Sequence, residues 1–182
     1  MTADLLHPLS LFRRNGGRAL PSFEVIEGAN VPEPYHGLLV HNGDMTSRLE
    51  AFHSGTMVLE VLHCENVPEA YRREVVLHVD ETGRPVEYGA IEIHLEEFTK
   101  SLREQIVKAH LPLGALLNRS GLPYRSEPRA FIKLGRDAVM EEIFGAGGEA
   151  YYGRCNVLLG EANRELAHIV EVLRPEGREV ES

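Results

Sequence analysis

The sequence predicts a single α+β domain: a sheet of six strands, antiparallel where the pattern shows it, with helices covering the sheet. Three observations predict it. The chain has 182 residues, the length of one domain with a substantial core. Six runs have strand character, and two of them are joined by a turn into an antiparallel hairpin. A long amphipathic helical segment follows that hairpin, placed to cover one face of the sheet.

Taken in order, residues 1–31 hold a helix-compatible piece, Leu5–Arg14, broken afterwards by Gly16-Gly17, Pro21 and Gly28. They read as an N-terminal arm lying across the domain formed by residues 32–175. Pro34–Val40 is a short apolar segment with helical character. Asn42-Gly43 marks a tight turn, and Asp44 is placed to cap a helix from about Met45 to Phe52. Met45 itself reads most simply as a core methionine at a helix start.

Thr56–His63 is the first strand. The hairpin follows, from Arg72–Val79 through the turn Asp80–Pro85 to Val86–His94. Gly89 interrupts the return strand, where glycine marks a bulge or the close approach of another group. Leu95, Phe98, Leu102, Ile106 and Ala109 recur at helical spacing, and Ala115–Asn118 starts a further turn. Arg129–Leu134 is the fourth strand, Asp137 caps a short helix through Phe144, and Gly145–Gly148 is a loop. Tyr151–Leu159 and Arg164–Leu173 are the fifth and sixth strands. Residues 176–182 form an acidic tail expected to fray.

Two charged residues fall out of pattern. In Arg72–Val79 the alternation puts Arg73 on one face with Val75, Leu77 and Val79. A guanidinium stays charged, and burying one without a partner costs several kcal/mol, on the order of the penalty for any unpaired buried ion. Its counterpart is a carboxylate elsewhere in the chain, water reached by snorkelling from a strand end, or a bound anion. Glu171 shares a face with Ala167, Ile169 and Leu173 on a strand that is apolar on both sides. It is either the structural partner of Arg73 or part of a site.

Composition narrows the function. With 43% hydrophobic and 26% charged residues the chain is globular, so disorder is excluded as a global description. A net charge of -9 disfavours nucleic acid and anionic membrane surfaces as partners. It leaves room for a small anion, because a desolvated arginine acts locally while diffuse charge is screened over about 10 Å. Cys64 and Cys155 make no disulfide framework and read as small packing residues. Nine histidines include no pair at metal-ligand spacing, and surface or hydrogen-bonded roles fit His41, His53 and His63 best. The serines sit in no nucleophile-elbow context. No export signal opens the chain and no apolar run nears eighteen residues, so a cytoplasmic location is expected.

Six short elements, in order, give a resemblance. They are Met45-Thr46-Ser47-Arg48-Leu49-Glu50, then Arg73–Leu77 with the downstream Gly89, Pro112–Gly114, Phe131–Asp137, Gly153-Arg154, and Glu171–Pro175. Together they resemble the chorismate lyase (4-hydroxybenzoate synthase) family, from roughly Leu38 to Pro175. The resemblance implies a six-stranded antiparallel sheet enclosing a ligand pocket, a fold shared with ligand-binding domains of some bacterial transcription regulators. In those regulators the domain normally follows a DNA-binding segment, for which these residues hold no counterpart.

The resemblance also implies an activity: removal of pyruvate from chorismate to leave 4-hydroxybenzoate, with no metal or cofactor. Arg73 would then grip a substrate carboxylate, Glu171 would bond the ring hydroxyl, and backbone groups at Met45 and Leu113 would complete the pocket. Ala90 departs from the pattern, since the family often carries arginine after the strand glycine; Arg154 and Arg125 are candidates to take its place. The alternative reading is a non-catalytic sensor of a small aromatic or hydroxylated carboxylate. In either case a small molecule is the expected partner, and the chain is expected to be a monomer or a weak homo-oligomer.

Overall fold

A computed structural model describes residues 4–176. Its centre is a seven-stranded sheet in the order β1-β5-β6-β7-β4-β3-β2. The strands are β1 (Phe23–Ile26), β2 (Met57–Val67), β3 (Ala70–Val79), β4 (Pro85–Ile93), β5 (Arg125–Leu134), β6 (Tyr151–Leu159) and β7 (Glu165–Leu173). Every neighbouring pair is antiparallel. Six of these strands are those expected from the sequence. The seventh, β1, lies in the N-terminal arm and pairs with the outer edge of β5, Phe23 opposite Leu134. It escapes sequence reading because it is short and mostly exposed, so it has no buried alternate positions to betray it.

Helices cover both faces. On the face called front here, α2 (Tyr35–Leu39) and α3 (Met45–His53) pack over one end of the strands, with Leu38, Leu39, Met45 and Leu49 against Leu77, Val79 and Leu173. Over the other end lie α4 (Lys100–Lys108) and α5 (Leu113–Ser120), with Leu102, Ile106, Leu113 and Leu117 against Ile91, Ile93 and Ala167. The back face is covered by α1 (Leu9–Asn15) and α6 (Ala138–Phe144), which pack Leu9, Phe12, Met140 and Phe144 on Val76, Tyr88, Val170 and Val172.

Local chemistry sets the helix starts. The Asp44 side chain accepts from the Ser47 amide, Thr99 caps α4 through the Leu102 amide, and Asp137 caps α6 through the Met140 amide. The Thr99 cap corrects the expectation of one helix from Leu95: Leu95–Glu97 is a separate 3-10 turn. The Ala115–Asn118 turn is part of a full helix, α5. Gly89 is explained by close approach, since a Cβ there would run into the Val170 carbonyl oxygen. The expected fraying of the tail beyond Glu176 lies outside the described residues.

Two expectations about burial are corrected. Alternation in β3 suggested one buried face, yet both are buried, and Glu74 on the back face is 0% exposed because α1 and the arm cover it. Cys64 is exposed rather than packed, and it stands directly across the β2–β3 ladder from Arg73.

Candidate functional site

The front-face helices leave a gap between their two groups, and the gap is a cavity of about 580 Å³ counted to its open mouth. Strand register lays out its floor. Arg73 pairs with Ile91, Val75 with Gly89, and Leu77 with Glu87 between β3 and β4. Gly89 in turn pairs with Glu171 on β7, and Glu171 with Arg154 on β6. Gly89 lies between these rows in the register, and Ala90, Ile91, Ile169 and Val170 border the cavity between Arg73 on one side and Glu171, Arg154 and Glu87 on the other. The Arg73 and Glu171 rows are two residues apart, about 7 Å along the strands, and β3 and β7 are two spacings apart, about 10 Å.

The roof comes from two helix starts. Asp44, Met45 and Thr46 at the start of α3 border the cavity, as do Pro112, Leu113 and Gly114 at the start of α5. The two starts are tied together, because Asn118 donates to Asp44 Oδ2 at 3.2 Å and Gly114 packs against Asp44. Pro112 provides no side-chain cap, which leaves the first amides of α5 without a capping acceptor. All four sequence-predicted site residues, Arg73, Glu171, Met45 and Leu113, thus border one cavity.

Arg73 is buried with 2% exposure. Its Nη atoms donate to the Ile106 and Leu111 carbonyls, each at a long 3.4 Å, and its Nε has no partner. Among the described residues no carboxylate pairs with it. Burial accordingly pulls its pKa below the ordinary arginine value. Glu171 is not the partner of Arg73, which settles one of the alternatives left open by the sequence.

Glu171 instead pairs with Arg154, Nε to Oε2 at 2.5 Å, both side chains buried. The remaining Arg154 donors reach the carbonyls of Leu39 at 3.3 Å, His41 at 3.1 Å and Gly43 at 3.4 Å. All three Arg154 nitrogens are therefore engaged: they hold the turn before α3 against the sheet and hold Glu171 in the cavity wall. Burial, and then the nearby Arg154 charge, lower His41 to about 4. Arg125 lies outside, bonded to Asn163 and Glu127. Neither arginine stands free in place of the one that Ala90 lacks.

Sequence reasoning missed Glu87, Asn156 and Ser126, all buried in the wall of the cavity. Asn156 donates to Ser126 Oγ at 3.2 Å, while its Oδ1 and Glu87 Oε2 have no partner. The signal for Glu87 was present, because it alternates in phase with Gly89, Ile91 and Ile93. Burial, and then the negative charge of Glu171, raise Glu87 well above the ordinary carboxylate range, against the pull of Arg154. Among the described residues no group of three His, Cys, Asp or Glu is arranged to hold a metal ion, and no helix is long and apolar enough to cross a membrane.

An antiparallel sheet with a cavity under split helical cover is also found in solved structures of effector and ligand-binding domains. The effector domain of PhnF from Mycobacterium smegmatis superposes with a TM-score of 0.57 at 15% identity, covering 72% of this chain and 88% of its own. PhnF from the same organism gives 0.57 at 12% identity, over 91% and 93%. The ligand-binding domain of a protein described as a GntR-family transcriptional regulator, from Bordetella bronchiseptica, gives 0.51 at 11% identity, over 66% and 86%. At these identities the likeness is one of fold. None of the three is named as a chorismate lyase. No family model matches the chain, and no curated protein matches it in sequence.

Proposed function

We propose that the cavity binds a small hydroxylated aromatic carboxylate and that the chain acts as a non-catalytic sensor of it. The observation that carries this reading is the charge inventory of the cavity. One guanidinium, Arg73, lacks a counter-charge, and two carboxyl groups, Glu171 and Glu87, share the single charge of Arg154 at the other side. A ligand with one carboxylate places it on Arg73 in a two-point grip and turns its hydroxyl toward the carboxyls. 4-Hydroxybenzoate has that chemistry. Among the described residues that border the cavity, no further free guanidinium is left for a second carboxylate on the ligand. The fold likeness to effector and ligand-binding domains supports the same reading.

Lyase action on chorismate is the second reading, favoured by the motif order and by one feature of the roof. The start of α5, which has no side-chain cap, borders the cavity, and its positive dipole end is a place for the enolpyruvyl carboxylate. The C3–oxygen bond of chorismate then breaks as the C4 hydrogen leaves as a proton, to a base or directly to the enolpyruvyl methylene; the ring becomes 4-hydroxybenzoate, and the released enolpyruvate takes up a proton at its methylene to become pyruvate. Arg73 holds the ring carboxylate and Glu171 positions the ring hydroxyl.

Thermal unfolding with 4-hydroxybenzoate or benzoate, alongside a coupled assay for pyruvate release from chorismate, tests both. The sensor reading expects a higher Tm with 4-hydroxybenzoate than with benzoate, and no pyruvate. Pyruvate formation selects the lyase. No shift with either ligand and no pyruvate overturns both readings.

A further inference from the structure

The Arg73 side of the cavity reads a carboxylate; what the opposite side reads is set by two carboxyl groups in unlike surroundings. Glu171 Oε2 accepts from Arg154, and among the described residues no donor reaches its Oε1. Glu87 lies on the neighbouring strand, β4, two positions from Gly89, which is the register partner of Glu171. It stands between Leu77 of β3 and Leu173 of β7, both buried and apolar, with Oε2 shut away from solvent and unpartnered. Among the described residues no cation other than Arg154 borders that side of the cavity, and Arg154 is already matched to Glu171.

Two carboxylates beside one engaged arginine leave a net negative charge in an apolar wall, which a retained proton removes. An apolar site keeps a carboxylic acid neutral so that it can donate a hydrogen bond. The raised pKa of Glu87, caused by burial and by Glu171, agrees with that geometry.

We propose that Glu87 is a specificity-determining residue of this cavity, acting with Glu171 as a donor–acceptor pair that takes up a ligand hydroxyl. The Glu171 carboxylate accepts the hydroxyl proton, and the Glu87 carboxylic acid donates its own O–H to the hydroxyl oxygen. A hydroxyl is both donor and acceptor and satisfies the pair in full. An aromatic amine offers mainly donors and leaves the Glu87 O–H unmet, and a bare ring edge leaves both groups unmet. The ligand class is therefore a hydroxy-substituted aromatic carboxylate, in preference to its amino or unsubstituted analogue. This inference rests on the carboxylate-binding reading above and deepens it.

Calorimetric titration of the full chain with benzoate, 4-hydroxybenzoate and 4-aminobenzoate tests it, in the wild type, Glu87→Leu, Glu87→Gln and Arg73→Met. The wild type is expected to prefer 4-hydroxybenzoate to the other two by roughly tenfold or more, the size of one or two net hydrogen bonds. Glu87→Leu loses most of that preference while binding benzoate at least as well. Glu87→Gln retains it, because the amide N–H₂ replaces the donor. Raising the pH from 6 to 8, below the range in which the ligand phenol ionises, weakens the preference in the wild type, as Glu87 loses its proton, and leaves it level in Glu87→Gln. Benzoate binding that requires Arg73, with an unchanged hydroxyl preference in Glu87→Leu, overturns the role of Glu87 and leaves the carboxylate site standing. If Glu87→Leu does not fold, the pH profiles decide, and matching profiles for wild type and Glu87→Gln overturn the proposal. Failure of the wild type to bind any of the three ligands overturns the underlying site and this inference with it.

Discussion

The two faces of the sheet each bury a cluster of charged side chains, and the clusters differ in how those charges are met. On the back face, Arg13 of α1 makes a two-point contact with Asp137 at 2.8 and 2.9 Å and donates to the Tyr88 hydroxyl at 3.0 Å. The Tyr88 hydroxyl donates to Glu74 Oε1 at 2.6 Å, and Glu74 is also bonded to Arg18 and His63. Each ion there has an opposite charge or a donor from the chain itself. On the front face, Arg73 has two distant carbonyls and an idle Nε, and Glu87 Oε2 has no partner. The back cluster ties the N-terminal arm to the sheet. The front cluster borders a cavity, and Arg73 and Glu87, which carry the unmet groups, are both in its wall. Burial of charge alone does not separate a structural pair from a binding site; the completeness of its partnering does.

That contrast breaks first at Arg13. Arg13→Met strands Asp137 beside an apolar core and removes a donor from Tyr88, so a loss of about 3–5 kcal/mol is expected, the cost of breaking a buried pair. A shift of the denaturant midpoint measures it. A variant as stable as the wild type would show that the back cluster carries no structural role.

Arg73→Met is expected to behave in the opposite way. Its charge has no counter-ion to strand, so the unliganded protein should be as stable as the wild type or more so. The stabilisation by 4-hydroxybenzoate, about 2.7 kcal/mol at a hundredfold excess over Kd, should vanish. Arg73→Lys should also lose most of it, since an ammonium cannot reproduce the planar grip. Midpoints with and without ligand decide the matter; a large loss of unliganded stability in Arg73→Met would make Arg73 structural.

The smallest effect sharpens the comparison through pH. Burial pushes Glu74 up, but hydrogen bonds from Arg18, Tyr88 and His63 outweigh it and hold its pKa below the ordinary range. Its contribution is present above the unfolded-state pKa, about 4.3, and is lost as pH falls through the lower folded value. Glu87 is raised, by burial and then by Glu171, so its contribution is greatest at low pH and declines as pH rises above about 4.3 toward the folded value. Stability measured against Glu74→Gln should therefore fall on acidification, and against Glu87→Gln on alkalinisation. Slopes of the same sign would contradict the assignment of the two clusters to unlike roles.

Much of this molecule is written in short-range pattern. Alternation places Arg73, Val75 and Leu77 on one face and Glu171 with Ala167, Ile169 and Leu173 on another, because side chains of a strand point to opposite sides in turn. The caps Asp44 and Asp137 are legible because each bonds an amide three residues ahead. Alternation says which residues share a face, but not what arrives to cover it. Glu74 is buried by an arm whose Arg18 lies 56 residues away, and Arg13 meets Asp137 across 124. The strand β1 is recognisable only through the β5 edge that it joins. The pairing of Glu171 with Arg154, which leaves Arg73 open, follows from the neighbouring register of β6 and β7. A charge's own sequence sets its cost of burial, and only the tertiary structure brings the partner, or leaves the place for one.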